Sequence, residues 1–386
     1  MFFNHTRSHN LVRAVAVTVG LILSHAASAQ VPVLQPSQQL RPPIDPAPGG
    51  PPGAQVQFGW LAATDGQTTI VTVNQGHAAY AYTKNAQGRW RFRDALVAPE
   101  GYTSYGAAVL GDTALVEGVA DSQNVVSVFK RSFGQWSHTQ TLPANQPSAN
   151  NHLALGSDYA AIADAAANDV AGALYVYDKV GAGTYSLGAV LTPAGATEGW
   201  FSGYSITGEG NTILSTAPGE SVTSVWVKSG GVWSEQTRLS LPSATGFDVR
   251  TGYSADRALL ASNSRAIDSP NNPVVFHRQN GTWSVEQTLV HPSDPDKGLR
   301  SPLALKGNLL VVREDGIAGE AHLFVYELVS GAWIAKAELS EPVCGDASNT
   351  ITSQVTIGGR TVFVTCPTAV TPRPDFDGRV FVYEVP

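Results

Sequence analysis

Charged side chains make up only 14% of this 386-residue sequence, and methionine occurs once, at the start. An ordinary globular domain carries about 25% charge. Helix surfaces draw on Glu, Lys, Arg and Met, so their scarcity argues for strands and turns, which the 38 glycines and 24 prolines also suit. Positive charge is short as well: 24 Lys and Arg stand against 31 Asp and Glu, a net charge of −7. Without a basic footprint for the phosphate backbone, nucleic acid is excluded as a partner. Compact catalytic motifs are also lacking. The histidines beyond residue 29 (His77, His138, His152, His277, His291 and His322) are dispersed, with no paired metal spacing. There is no G-x-S-x-G elbow, glycine-rich phosphate loop or dinucleotide fingerprint. Glu314 and Asp315 are adjacent and so point to opposite faces of a strand, which does not suit the close carboxylate pair of a retaining glycosidase. What the chain does have is 43% hydrophobic residues, enough for a sizeable core and too many for wholesale disorder.

Residues 1–29 carry the pattern of a secretory signal. Arg7 and Arg13 supply its positive region, Ala14 to Leu23 its apolar core, and Ala27-Ser28-Ala29 a cleavage site. Ten apolar residues cover about half a bilayer as helix, so cleavage is expected rather than anchoring. No cysteine follows the site, and no later apolar run is long enough to span. The expected location is therefore periplasmic or secreted. In such an oxidising compartment Cys344 and Cys366, the only two cysteines, are expected to form a disulfide. A reactive thiol or metal ligand would want a basic neighbour, and none adjoins them in sequence. Residues 30–55 follow as a proline-rich segment with linker composition, and residues 56–386 as one domain.

That domain is repetitive. Gly-x-aromatic triplets end at Trp90, Trp136, Tyr185, Trp233, Trp283 and Trp333, spaced 46 to 50 residues apart. A leucine follows each six positions later: Leu96, Leu142, Leu191, Leu239, Leu289 and Leu339. An even offset in a plain strand places aromatic and leucine in one layer. Upstream of each aromatic lies an apolar run such as Val126-Ser127-Val128-Phe129 or Leu174-Tyr175-Val176-Tyr177, joined to it by a turn, and a seventh run, Val380-Phe381-Val382-Tyr383, ends the chain. A second hairpin precedes each, clearest at Gly111 to Val116 and Gly359 to Val364. One four-stranded unit cannot bury both of its faces, but a ring of units can. The expected fold is thus all-β, a seven-bladed β-propeller of four-stranded blades. The last blade lacks its fourth strand, and Leu34-Gln35-Pro36 resembles the Leu-Pro ending of fourth strands, so Val31 to Leu34 is expected to pair beside Arg379 to Val385 and close the ring.

Phe58-Gly59, Tyr105-Gly106, Gly111-Asp112-Thr113-Ala114-Leu115-Val116, Gly172-Ala173-Leu174-Tyr175-Val176-Tyr177 and Gln140-Thr141-Leu142 together resemble the FG-GAP repeats of integrin α chains and of exported bacterial proteins. The resemblance covers the chain from about residue 56 and implies the propeller, not an activity. Integrin-type blades bind calcium through D-x-D-x-D-G loops. The nearest match, Asp375-Phe376-Asp377-Gly378, lacks the later acids, so calcium at Asp375 and Asp377 is the one cofactor the resemblance admits. Quinoprotein propellers, which also place a Trp after a Gly turn, are a second resemblance, but their usual acid is matched only loosely, at Asp178. At the position of the family's phenylalanine stand Phe58, Tyr105, His152, Phe201, Arg250, Arg300 and Ser353.

The connections between blades and those in mid-blade share one face of such a ring, which carries Glu117, Asp164, Asp169, Arg313, Glu314 and Asp375. His152, Trp200, Arg250, Arg300 and Arg313 are the candidate ligand-binding residues, since guanidinium forks suit carboxylates and aromatic faces suit sugars. No residue is assigned a catalytic role. The function expected is that of an exported, monomeric, non-catalytic binding module for a protein or glycan. The alternatives are a secreted carbohydrate lyase or hydrolase using the axial loops, and an envelope-assembly scaffold.

Overall fold

A computed structural model describes residues 31–43, 56–74, 76–97, 103–120, 123–144, 152–241, 249–262, 272–314, 322–340, 354–367 and 376–386. The chain forms a seven-bladed β-propeller. Blades 1 to 7 occupy residues 56–97, 103–143, 153–191, 206–240, 249–288, 299–339 and 355–384. Each is an antiparallel meander running from an inner first strand outward. Connections between blades and between second and third strands emerge on one face, here the upper. The hairpin turns emerge on the lower face.

The core is seven apolar layers, one between each pair of neighbouring blades, rather than one central cluster. Contrary to the plain-strand expectation, each aromatic and the leucine six residues on lie in different layers. Trp136 packs with Leu96 and Val116 between blades 1 and 2, whereas Leu142 packs with Leu155 and Tyr185 between blades 2 and 3. The cause is a bulge in every third-to-fourth-strand hairpin, always three residues past the aromatic. The unpaired residues are Arg93, Thr139, Gly188, Gln236, Glu286 and Lys336. One extra residue inverts the alternation, so the aromatic turns to the preceding blade and the leucine to the following one. A single strand thereby fastens both neighbours.

Hydrogen bonds repeat the same linkage. The Gln140 side chain donates to the Tyr185 carbonyl at 2.8 Å and accepts the Tyr185 N–H at 2.7 Å. Gln287 does the same to Trp333, and Asp94 accepts the Trp136 N–H at 2.7 Å. Third-strand tyrosines donate to the carbonyl just after the previous blade's leucine: Tyr177 to Pro143, Tyr326 to Val290 and Tyr383 to Ser340.

The N-terminal segment closes the ring, in a register six residues from the expected one. Gln38–Leu40, not Val31 to Leu34, pairs antiparallel with Arg379–Glu384 and completes blade 7. Leu40 is 2% exposed against Phe363 and Val380. Gln38 clasps the Trp90 backbone as Gln140 clasps that of Tyr185, and Tyr82 donates to the carbonyl of Arg41. Val33–Leu34 instead adds in parallel to the outer strand of blade 6, at Glu338 and Leu339. The front of the proline-rich segment therefore belongs to the propeller. A third fastening is Phe376–Asp377, parallel to Val56 and Gln57 on the inner edge of blade 1. Gly378 follows at φ +105°, where a Cβ would collide with the Phe58 carbonyl. Asp375 and the Asp377 side chain lie outside the described residues, as do residues 1–30 and Cys344. Cys366 is fully buried at the end of Thr361–Cys366 and is not a free thiol.

Leu40→Ala is expected to cost about 2–5 kcal/mol as a buried truncation, and Leu34→Ala clearly less, because Leu34 is only partly buried. Urea denaturation of both variants checks this; equal losses would contradict the observed register.

Candidate functional site

The two faces use charge differently. On the lower face it follows the blade period. A cation at the end of a third strand stacks on the fourth-strand aromatic and pairs with a turn acid, as in Arg131 with Trp136 and Asp112, or Arg278 with Trp283 and Asp256. Lys228 stacks on Trp233 and bridges Asp158 and Asp178 of the preceding blade. The acid matching a quinoprotein position, Asp178, thus serves an inter-blade ion pair. Toward the upper face the charges are buried and differ from blade to blade: Glu117, His152, Asp164, His291, Arg300 and Glu314 are all at most 5% exposed.

The sequence-predicted residues fall into two corners rather than one constellation. At the blade 3–4 corner, His152 precedes the inner strand of blade 3 and its ring Nε2–H donates to the Tyr204 carbonyl at 3.1 Å. Its backbone carbonyl accepts from Ala163 at 2.9 Å, so His152 fastens the loop entering blade 4. Trp200 lies in that loop, half-buried, with the Arg238 guanidinium 5.1 Å from its ring centroid. Arg238 forks onto Glu235 at 2.7 and 2.9 Å and donates to the Ala194 carbonyl at 2.6 Å. Burial opposes ionisation of Glu235, but the bonds from Arg238, Ser224 and the Ala194 N–H outweigh it and hold the carboxyl below its usual range. Five non-glycine residues here adopt left-handed backbone: Asn168, Asp169, Val170, Phe201 and Ser221. The other four such residues, Phe133, Ala255, Asn280 and Ser330, sit in lower-face hairpin turns, where that geometry is ordinary. Among the described residues, strain beyond what the turns require is therefore confined to this corner.

The second corner joins blades 5 and 6. Arg300 and Arg313 are cross-strand partners in blade 6, and the next residue, Glu314, closes its second strand. The Glu314 carboxylate takes Lys297 at 2.5 Å and faces the Nε2 atoms of His291 and His322 at 3.8 and 3.9 Å. His322 Nδ1 in turn lies 2.6 Å from Glu338. His291 Nδ1 accepts the Asp294 N–H at 3.1 Å, so the proton of the neutral ring is on Nε2, directed at Glu314 with no hydrogen-bond partner among the described residues. That tautomer cannot offer Nε2 to a metal, and among the described residues no group of three or more His, Cys, Asp or Glu is placed to hold one. Burial pushes the His291 pKa down; Glu314 opposes this and Lys297 adds to it. Arg250 belongs to the inner strand of blade 5, opposite Ala261, and its side chain lies outside the described residues.

Sequence reasoning placed Glu314 on this face but missed its partners. His291 comes two residues after Leu289, where the other copies have Ala98, Ala144, Pro193, Leu241 and Glu341, and Glu338 immediately precedes Leu339. Superposing the repeats would have set these departures side by side.

No protein-family model matches the chain, and no curated protein matches it. Solved structures do. A chain from a crystal structure of the mitotic checkpoint complex superposes with a TM-score of 0.55 at 11% identity, covering 97% of this chain and 99% of that one. A protein from Lactobacillus plantarum gives 0.51 at 15% identity, covering 85% and 99%. At these identities the likeness is one of fold.

Because folding depresses the His291 pKa, the unfolded chain binds more protons as pH falls below about 6.5. Stability supplied by the neutral ring is present above that pH and is lost on acidification. Urea midpoints at pH 7.5 and 5.5 should therefore differ less in His291→Gln than in the wild type; an unchanged difference would contradict the assignment.

Proposed function

We propose that this propeller is an exported binding module whose ligand, a protein or a glycan, meets the upper face at the blade 3–4 and 5–6 corners. The observation that carries this reading is the contrast between the faces. Charge that recurs from blade to blade belongs to the scaffold, whereas buried charge that differs between blades is not called for by the packing problem the blades share and costs desolvation to keep. Localised backbone strain at the first corner supports the same face. One structure of similar fold comes from a multiprotein complex, in keeping with interaction as a use of this architecture. The apolar core from Ala14 to Leu23 and the cleavage site ending at Ala29 support export, and Cys344 with Cys366 supports a disulfide formed there.

Two measurements test the proposal. The exported product should begin at Gln30 by N-terminal sequencing, with Cys344 and Cys366 joined in a non-reducing peptide map; retention of residues 1–29 or two free thiols would contradict export. On a glycan array and against purified envelope proteins, Trp200→Ala should weaken any interaction at least tenfold while Arg131→Ala on the lower face leaves it unchanged. Loss through Arg131→Ala alone would move the site, and turnover of a polysaccharide would replace binding by catalysis.

A further inference from the structure

A cavity of about 660 Å³ runs along the ring axis and reaches the lower-face turns at Asp65, Ser157 and Gly210. Every blade contributes its inner strand to the lining. We propose that this channel, separate from the upper-face corners, receives an extended peptide that adds as a strand to an inner edge.

Four observations support it. Within the blades, each inner strand pairs on one side only, so its other edge turns backbone N–H and C=O groups toward the axis. Such edges are templates for another strand. The protein already uses one this way: Phe376–Asp377 lies parallel on the inner edge of blade 1, at Val56 and Gln57, while among the described residues the edge from Ala62 to Thr64 below it carries no added strand. The lining is also neutral in effect. Glu209 is taken up by Lys306 at 3.2 Å and by the Ser254 hydroxyl at 2.9 Å, and Asp65 accepts the N–H groups of Gln67, Thr68 and Gly111. A charged ligand would find no free counter-charge in these groups. No aromatic ring is among the described lining residues, so the stacking surface a sugar favours is missing. Finally, Thr251, in the inner strand of blade 5, is among the lining residues and is 7% exposed, and its buried hydroxyl has no hydrogen-bond partner among the described residues. Rotation of this side chain beside a bound strand would give the hydroxyl a peptide carbonyl or amide as partner.

The test uses the full mature chain and a random library of N-acetylated, C-amidated hexapeptides lacking acidic and basic residues. Peptides retained by the wild type and identified by mass spectrometry should bind about tenfold more weakly to Thr251→Val. That variant should melt no lower than the wild type, since its lost hydroxyl had no partner. N-methylation of alternate backbone amides should abolish binding, Ala108→Trp should block it by filling the channel, and Trp200→Ala should leave it unchanged, which separates this site from the upper-face reading. No retained peptide, equal binding of the N-methylated forms, or undiminished binding by Thr251→Val would overturn the proposal. So would retention of maltose or cellobiose in place of any peptide.

Discussion

The structure depends on one non-local pairing, that of Gln38–Leu40 with Arg379–Glu384. Each blade is amphiphilic on both sides and buries itself only between two others, so an open arc of seven would expose two apolar sheet faces. In blade 7 the fourth strand is supplied from outside the C-terminal repeat. Three residues from the far end of the sequence form it, bringing the leucine, glutamine clasp and tyrosine contact that elsewhere come from a complete hairpin. Val33–Leu34 on blade 6 and Phe376–Asp377 on blade 1 extend the join over three consecutive blades.

Repetition sorts structure from function. The fourth-strand bulge, the aromatic turned backward and the leucine turned forward recur because every interface poses the same packing problem. The lower-face cations stacked on Trp136, Trp233 and Trp283 belong to that set, which is why charge there accompanies ring building. His152, Trp200 and His291 recur nowhere, and the buried acid ending the second strand is found only as Asp164 and Glu314 among the described residues. Their burial toward one face, beside connections of unequal length, gives the ring two chemically different corners on a uniform scaffold.

Most of the architecture was legible because a 46 to 50-residue period in aromatics and leucines reports the blade directly. What the period hid was parity. A bulge adds one residue without changing the residue types around it, so Trp136 and Leu142 read as neighbours on one face while they fasten different blades. The closing strand was misplaced for a similar reason: Leu34-Gln35-Pro36 and Leu40-Arg41-Pro42 both carry the fourth-strand ending. The deciding mark is the glutamine two residues ahead of Leu40, as before Leu142 and Leu289, and its meaning lies in a bond to the next blade that no linear pattern displays. The candidate site was legible only as a face. His291 and Glu314 are 23 positions apart and meet because adjacent blades bring the end of one outer strand beside the end of the next blade's second strand.

If closure makes the ring a single cooperative body, its joined end should be as hard to open as its middle. Native-state hydrogen exchange measures this directly. The amides of Arg379–Glu384 in blade 7 should open with the same free energy as those of Gln123–Ser132 in blade 2, both equal to global unfolding. Exchange of blade 7 through a separate opening, several kcal/mol below the global value, would contradict closure by the N-terminal strand.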